Sequence, residues 1–176
     1  VGLTVFAGAE DRWLEEQRLR RDFLERALVL FFRVAMGWIF LHAGLGQVLT
    51  PHFSVVPFLS HTTTFHDVFA IFASPGIALV VGLLVSWGQV LIGLSLLFGA
   101  LVSLSAPFGI VLMLLFWLAH MDWPFDDGRF YVFVGPDLLF AGIILLLLIK
   151  RAGHVVGLDA ILLRRRVFAR REGFFL

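Results

Sequence analysis

Four runs of about twenty predominantly apolar residues, at approximately 27–49, 77–98, 101–120 and 131–149, constrain this chain more than any other feature. A helix rises about 1.5 Å per residue, so each run has the length needed to cross roughly 30 Å of hydrocarbon. No water in a bilayer core pairs stray backbone N–H and C=O groups, so a helix is the only sensible form for a single crossing run. Hydrophobic residues make up 60% of the 176 positions, against about 45–50% in a soluble domain. The reading is an all-α integral membrane four-helix bundle. The second and third runs adjoin, which predicts a tight turn and an antiparallel hairpin. Pro107 and Pro136 fall in the first part of their predicted helices, where a missing N–H costs least.

Charge is confined mostly to the ends, dividing the chain into a charged segment (1–26), a membrane domain (27–150) and a basic tail (151–176). In 10–26 charges of both signs alternate with Trp13, Leu14, Leu24 and Ala27 at roughly helical spacing. That pattern suits either an amphipathic interfacial helix or a solvated extension of the first crossing helix. Beyond Arg151, segment 155–168 interleaves apolar residues with arginines, as a helix lying on an anionic leaflet would. A nucleic-acid-binding tail would leave those apolar residues unexplained. Six arginines, from Arg12 to Arg33, precede or open the first run. Lys150 and six arginines from Arg151 to Arg171 follow the fourth. Only Arg129 lies between the runs on the far side, so the positive-inside rule places both termini in the cytoplasm of a prokaryotic inner membrane, with lipid as the immediate partner. The opening lacks a signal-peptide cleavage pattern, so the first run is expected to stay as an anchor, and the missing initiator Met suggests trimming. With no cysteine, thiolate chemistry, disulfides and Cys-based metal sites are excluded within the chain.

Polar groups at membrane depth mark candidate sites. On a helix Arg33, Gly37, Phe40, Gly44 and Gln47 share one stripe, which should meet other helices because small residues permit close approach. Gln89 shares a second such stripe with Gly82, Ser86 and Gly93, where an interhelical hydrogen bond is the plain expectation. Arg33, near the inner end of its run, either joins that packing or snorkels to the headgroups. His42 falls on the opposite face with Trp38 and Leu45. It is either a packing histidine or a group that ligates a haem or chlorophyll metal or hydrogen-bonds a quinone. At the outer end His120, Asp122, Asp126, Asp127, Arg129, Asp137 and Gln47 fall at one depth. Arg129 there can attract an anion, and His120 or an aspartate can move protons; the alternative is a solvated acidic loop with Trp123 and Tyr131 at the interface. His61, His66 and Asp67 have loose metal-ligand spacing, and no metal site is expected from them. The twenty phenylalanines and five tryptophans suit lipid contact or a flat hydrophobic ligand equally.

Three stretches together resemble the DoxX/DoxD family of small four-helix membrane proteins. They are Arg33 through Leu49, the run Trp87-Gly88-Gln89-Val90-Leu91-Ile92-Gly93-Leu94-Ser95-Leu96-Leu97-Phe98-Gly99, and Pro136-Asp137-Leu138-Leu139. The resemblance covers about 120 residues, in the family's order. It implies a membrane subunit linked to redox chemistry, as in thiosulfate:quinone oxidoreductase, with a separate membrane or periplasmic partner. Gln47 and Gln89 depart from the Lys and Glu usual at those family positions. An amide keeps hydrogen-bonding capacity but does not titrate usefully, so the scaffold survives this change and proton transfer at either position does not.

Two functional expectations follow. In the first, the chain is a quinone-reactive subunit passing electrons from a small sulfur anion to membrane quinone, with Arg129, His120 and Asp137 doing the chemistry and His42, Gln47 and Gln89 contacting the cofactor. In the second, it is a non-catalytic accessory subunit of a larger respiratory or photosynthetic complex. A solute carrier fits less well, since four runs fall short of paired transporter halves.

Overall fold

The computed structural model describes residues 2–62, 64–121, 135–155 and 157–159, and all its regular structure is helical. The elements are α1 (Gly2–Leu49), α2 (Val56–Ser60), α3 (His66–Phe72), α4 (Pro75–Phe98), α5 (Val102–Ala119) and α6 (Pro136–Ile149), with a 3₁₀ turn at Ala152–His154. Three helices, α1, α4 and α5, are long and apolar enough to cross a membrane. The fourth, α6, is apolar but 14 residues long; positions 131–134, where the fourth run was expected to begin, lie outside the described residues.

The expected boundary at 26/27 has no break in the backbone. α1 is one helix of 48 residues, about 72 Å at 1.5 Å per residue, so the charged segment extends the first apolar run and is not a separate element. Opposite charges four apart, such as Glu16 with Arg20, Arg18 with Asp22 and Arg21 with Glu25, suit a solvent-facing helix. Lys150 at the end of α6 reaches Glu25 of this extension at 2.6 Å. Residues 160–176, with most of the expected amphipathic tail, lie outside the described residues.

Packing follows the two small-residue stripes. α1 makes its most extensive contact with α4, and α5 with α6, while α4 and α5 touch far less. Backbones meet where side chains are absent. A Cβ on Gly93 would lie 2.5 Å from the Leu41 nitrogen, one on Gly44 2.7 Å from the Val90 nitrogen, and one on Gly37 2.9 Å from the Leu97 nitrogen. Met36 and Phe40 of α1, Ile92 and Leu96 of α4, Ala106 and Met113 of α5, and Ala141, Ile144 and Leu147 of α6 form the main core. A smaller core of Val55, Leu59 and Ala78 seats α2 against the start of α4.

The predicted hairpin turn is present. α4 ends on Gly99, whose φ of 63° is the left-handed value that glycine adopts without strain, and Leu101 also lies in that region. Pro136 opens α6 as expected. Pro107, by contrast, sits inside α5 beyond its first turn, so it removes one intrahelical hydrogen bond.

Candidate functional site

The loose contact between α4 and α5 opens a cleft of about 1240 Å³ along the pair. Leu84, Gly88, Leu91 and Ser95 of α4 face Leu104, Phe108, Val111, Leu112 and Leu115 of α5 across it. Phe53, Val55, Phe58 and Leu59 close the end next to the connector after α1, where Gln47 and His120 supply polar groups; Leu101 and Leu158 lie at the opposite end, by the α4–α5 turn. The cleft exceeds the ~300–1,000 Å³ usual for small-ligand sites and is nearly all apolar, so it fits a long chain better than a compact polar solute.

At the rim beside Phe58 the structure brings together two of the three expected catalytic residues. His120 caps the end of α5, and its Nδ1 lies 2.9 Å from Asp137 Oδ2 in the first turn of α6. The histidine side chain is 61% exposed and the aspartate 17%. The ring of Phe58 stands edge-on to both His120 and Phe116, at 5.3 and 5.5 Å between centroids. Thr64 Oγ1 donates to the Met121 carbonyl, tying the outer connector to this end. A carboxylate at Asp137 can only accept, so this contact suits the neutral tautomer with its proton on Nδ1 and its lone pair on Nε2. Arg129, Asp122, Asp126 and Asp127 lie outside the described residues, as do Trp123 and Tyr131.

Gln47 and Gln89 do not form the amide pair that replacement of a Lys–Glu contact would leave. Gln47 Oε1 instead accepts from Ser86 Oγ at 3.0 Å, bridging α1 and α4, which directs its amide N–H groups away from Ser86. Gln89 is 3% exposed, and its Oε1 has no hydrogen-bond partner among the described residues. The expected interhelical bond from that oxygen is therefore not made, and a buried acceptor is left in the bundle between the packing stripes.

The remaining candidates separate from this end. Arg33 does not snorkel: it is 2% exposed, and its Nη1 donates to the Ala152 and Val155 carbonyls at 2.8 Å each. His42 is not a packing histidine, since it lies exposed on the outer face of α1 with the Trp38 ring 6.2 Å away. His61 and His66 engage the carbonyls of Pro57 and Thr62 in their own segment. Among the described residues no three His, Asp or Glu side chains converge as a metal would require.

Sequence reasoning missed several members. Ser86 appeared only as a small residue in a stripe, Phe58 only as one aromatic among many, and Asp159 not at all. Asp159 Oδ1 accepts from the Leu101 nitrogen at 2.9 Å and Oδ2 from the Val102 nitrogen at 3.4 Å, capping α5 from 57 or more positions away, while its own N–H donates to the Gly99 carbonyl. The single acid within the apolar and arginine-rich segment 155–168 was the available signal.

Compared with known proteins, the chain matches no family model, no curated protein and no solved structure. Fold and site therefore define a class only: a chain whose described residues are all-helical in their regular structure, with three helices long and apolar enough to cross a membrane and a lateral apolar cleft with polar groups at one end.

Proposed function

We propose that the chain is a DoxX/DoxD-like membrane subunit that binds a long-chain quinone in the α4–α5 cleft, with its headgroup at the outer rim. The observation that carries this reading is the cleft itself, apolar along most of two membrane-length helices, with Gln47 and His120 at one end and only the mutually hydrogen-bonded hydroxyls of Ser95 and Ser105 toward the other. In this reading α6 completes a four-helix bundle and both termini face the cytoplasm, which the arginine distribution supports.

The chemistry is the two-electron, two-proton reduction of a quinone to a quinol. Electrons come from a partner that oxidises a small sulfur anion, two thiosulfates coupling to tetrathionate. The amide of Gln47 donates to a quinone carbonyl without adding charge. His120, oriented by Asp137, passes a proton through Nε2. Arg129 draws the anion toward the outer face.

The test is photolabelling of the purified chain in lipid nanodiscs with an azido-quinone. Labels are expected on α4 and α5, suppressed by excess unlabelled quinone and by Gly88→Leu. Gly88 lines the cleft, and a Cβ there meets nothing within 4 Å, so the larger side chain fills the cleft without disturbing helix packing. Labelling that ignores both the competitor and Gly88→Leu overturns the proposal.

One observation favours the accessory-subunit reading. α1 continues beyond the bundle with residues 12–28 exposed, including Trp13, Leu19, Phe23 and Leu24, as a segment that docks onto another protein would. Co-purification inside a large complex, with the complex's activity unaffected by Gly88→Leu, decides for it.

A further inference from the structure

His42 is set apart from the other polar groups of the membrane helices. Gly37, Phe40 and Gly44 turn inward on the buried face of α1, and His42 turns outward with Trp38, Ile39, Leu45 and Gly46. Within the apolar run 27–49 it lies fifteen residues from the start and seven from Leu49, about 22 Å and 10 Å along the axis, which is inside the apolar length and nearer its Leu49 end. An imidazole there presents one N–H and one lone pair to a region without water, and such a group is costly unless it is matched. His61, His66 and His120 each engage an acceptor. No hydrogen bond or ion pair of His42 is found among the described residues.

A second observation lies one turn further out. Gly37, Gly44 and Gly93 are glycines because another backbone touches them, whereas a Cβ on Gly46 would meet nothing within 4 Å. Glycine inside a helix weakens it relative to alanine, and packing within the chain gives no reason for one here; Gly88 and Gly142 are equally open, but Gly46 alone of these stands one turn from His42 on the same exposed face. A flat ligand lying over that turn does. Trp38, one turn the other way, has its ring tilted 38° to the imidazole at 6.2 Å, so it flanks the histidine and leaves it uncovered.

We infer that His42 is the axial ligand of a metal-centred tetrapyrrole lying against the outer face of α1, with its ring plane over Gly46 and Trp38. Imidazole is the side chain best suited to supply a neutral nitrogen ligand. No charged residue lies between Arg33 and Leu49 in α1, so this face has no cation for free propionates. The ligand is therefore of the esterified, chlorophyll-like class and not a haem with ionised carboxylates. The inference does not rest on the quinone reading, because the cleft and His42 occupy different surfaces.

The test uses the full chain in nanodiscs with zinc pyropheophorbide methyl ester, whose metal takes one axial ligand, and with the metal-free ester as control. Wild type is expected to bind the zinc compound saturably near one per chain, with the absorption shift of axial ligation. His42→Leu, at an exposed position that folding tolerates, should weaken binding about a hundredfold or more, since disturbing even a supporting group behind a metal ligand costs about 10–100-fold. Gly46→Leu should weaken binding with His42 intact, and the metal-free ester should not distinguish the variants. Equal binding of zinc and metal-free compounds, or an unchanged affinity in His42→Leu, overturns the ligation. Unchanged affinity in Gly46→Leu overturns the placement.

Discussion

Replacing Arg33 by methionine should destabilise the bundle by about 2–4 kcal/mol, and the estimate follows from the contacts of one guanidinium. Arg33 Nη1 donates to two carbonyls, Ala152 and Val155, that end the chain's path out of α6. A Cβ on Gly99 would lie 2.6 Å from the same nitrogen, so the α4–α5 turn is built against it. Two charge-assisted hydrogen bonds contribute roughly 3–6 kcal/mol in soluble proteins. Hydrogen bonds between membrane helices average nearer ~0.6 kcal/mol each, because the unfolded chain in lipid also finds partners. This site lies between those limits, since it is buried yet at the end of the bundle. Methionine keeps most of the volume and removes the donors, leaving the Val155 carbonyl without the guanidinium and the Ala152 carbonyl with only the Val155 N–H. Steric trapping in bicelles measures the loss directly. Arg33→Lys should recover part of it through a single donor, and Asp159→Asn should show a smaller loss of about 1 kcal/mol through the cap it provides to α5. A loss below ~1 kcal/mol for Arg33→Met, where two average membrane bonds alone predict about that much, refutes the view that this arginine ties α1, the α4–α5 turn and the segment after α6 together.

Other predictions rest on independent contacts. Gly93→Ala should cost about 1–3 kcal/mol by forcing α1 and α4 apart, whereas Gly142→Ala, where a Cβ meets nothing within 4 Å, should be neutral or stabilising by up to ~1 kcal/mol; equal effects in the same unfolding assay would mean the close approach is not tight. Asp137→Asn should change stability by less than ~1 kcal/mol, because its partner is largely exposed; a larger loss would assign the pair a structural role. Since the chain has no cysteine, Leu14→Cys and Ser54→Cys can each be labelled alone in intact cells. Ser54→Cys is expected to react from outside and Leu14→Cys only after permeabilisation, and the reverse pattern overturns the orientation.

The helices themselves were legible in the sequence. Length and apolarity set α4 and α5 nearly to their ends, and the small-residue stripes marked which faces of α1 and α4 would touch, because helical periodicity is local and survives any tertiary arrangement. The continuity of α1 through residue 26 was not legible, since alternating charge fits a helix on a membrane as well as one leading away from it. Of the candidate site, the pairing of His120 with Asp137 was foreshadowed only as a shared depth; the seating of Phe58 on His120 and of Ser86 on Gln47 depends on contacts between separate helices, for which a single sequence carries no signal.

The sequence by itself determined that this is a largely helical chain built for lipid, with amides in its membrane stripes at Gln47 and Gln89 and its charge held mostly at the ends. Only the tertiary structure decided what those groups do. Gln47 took Ser86 and left the Gln89 oxygen unmatched, and Arg33 turned inward to carbonyls more than a hundred positions away. α4 and α5, joined by the tightest turn, became the pair that stands apart. The physical reason is that hydrophobic periodicity orients a helix about its own axis, while spacing between helices depends on where backbones can meet, and here those places lie between α1 and α4.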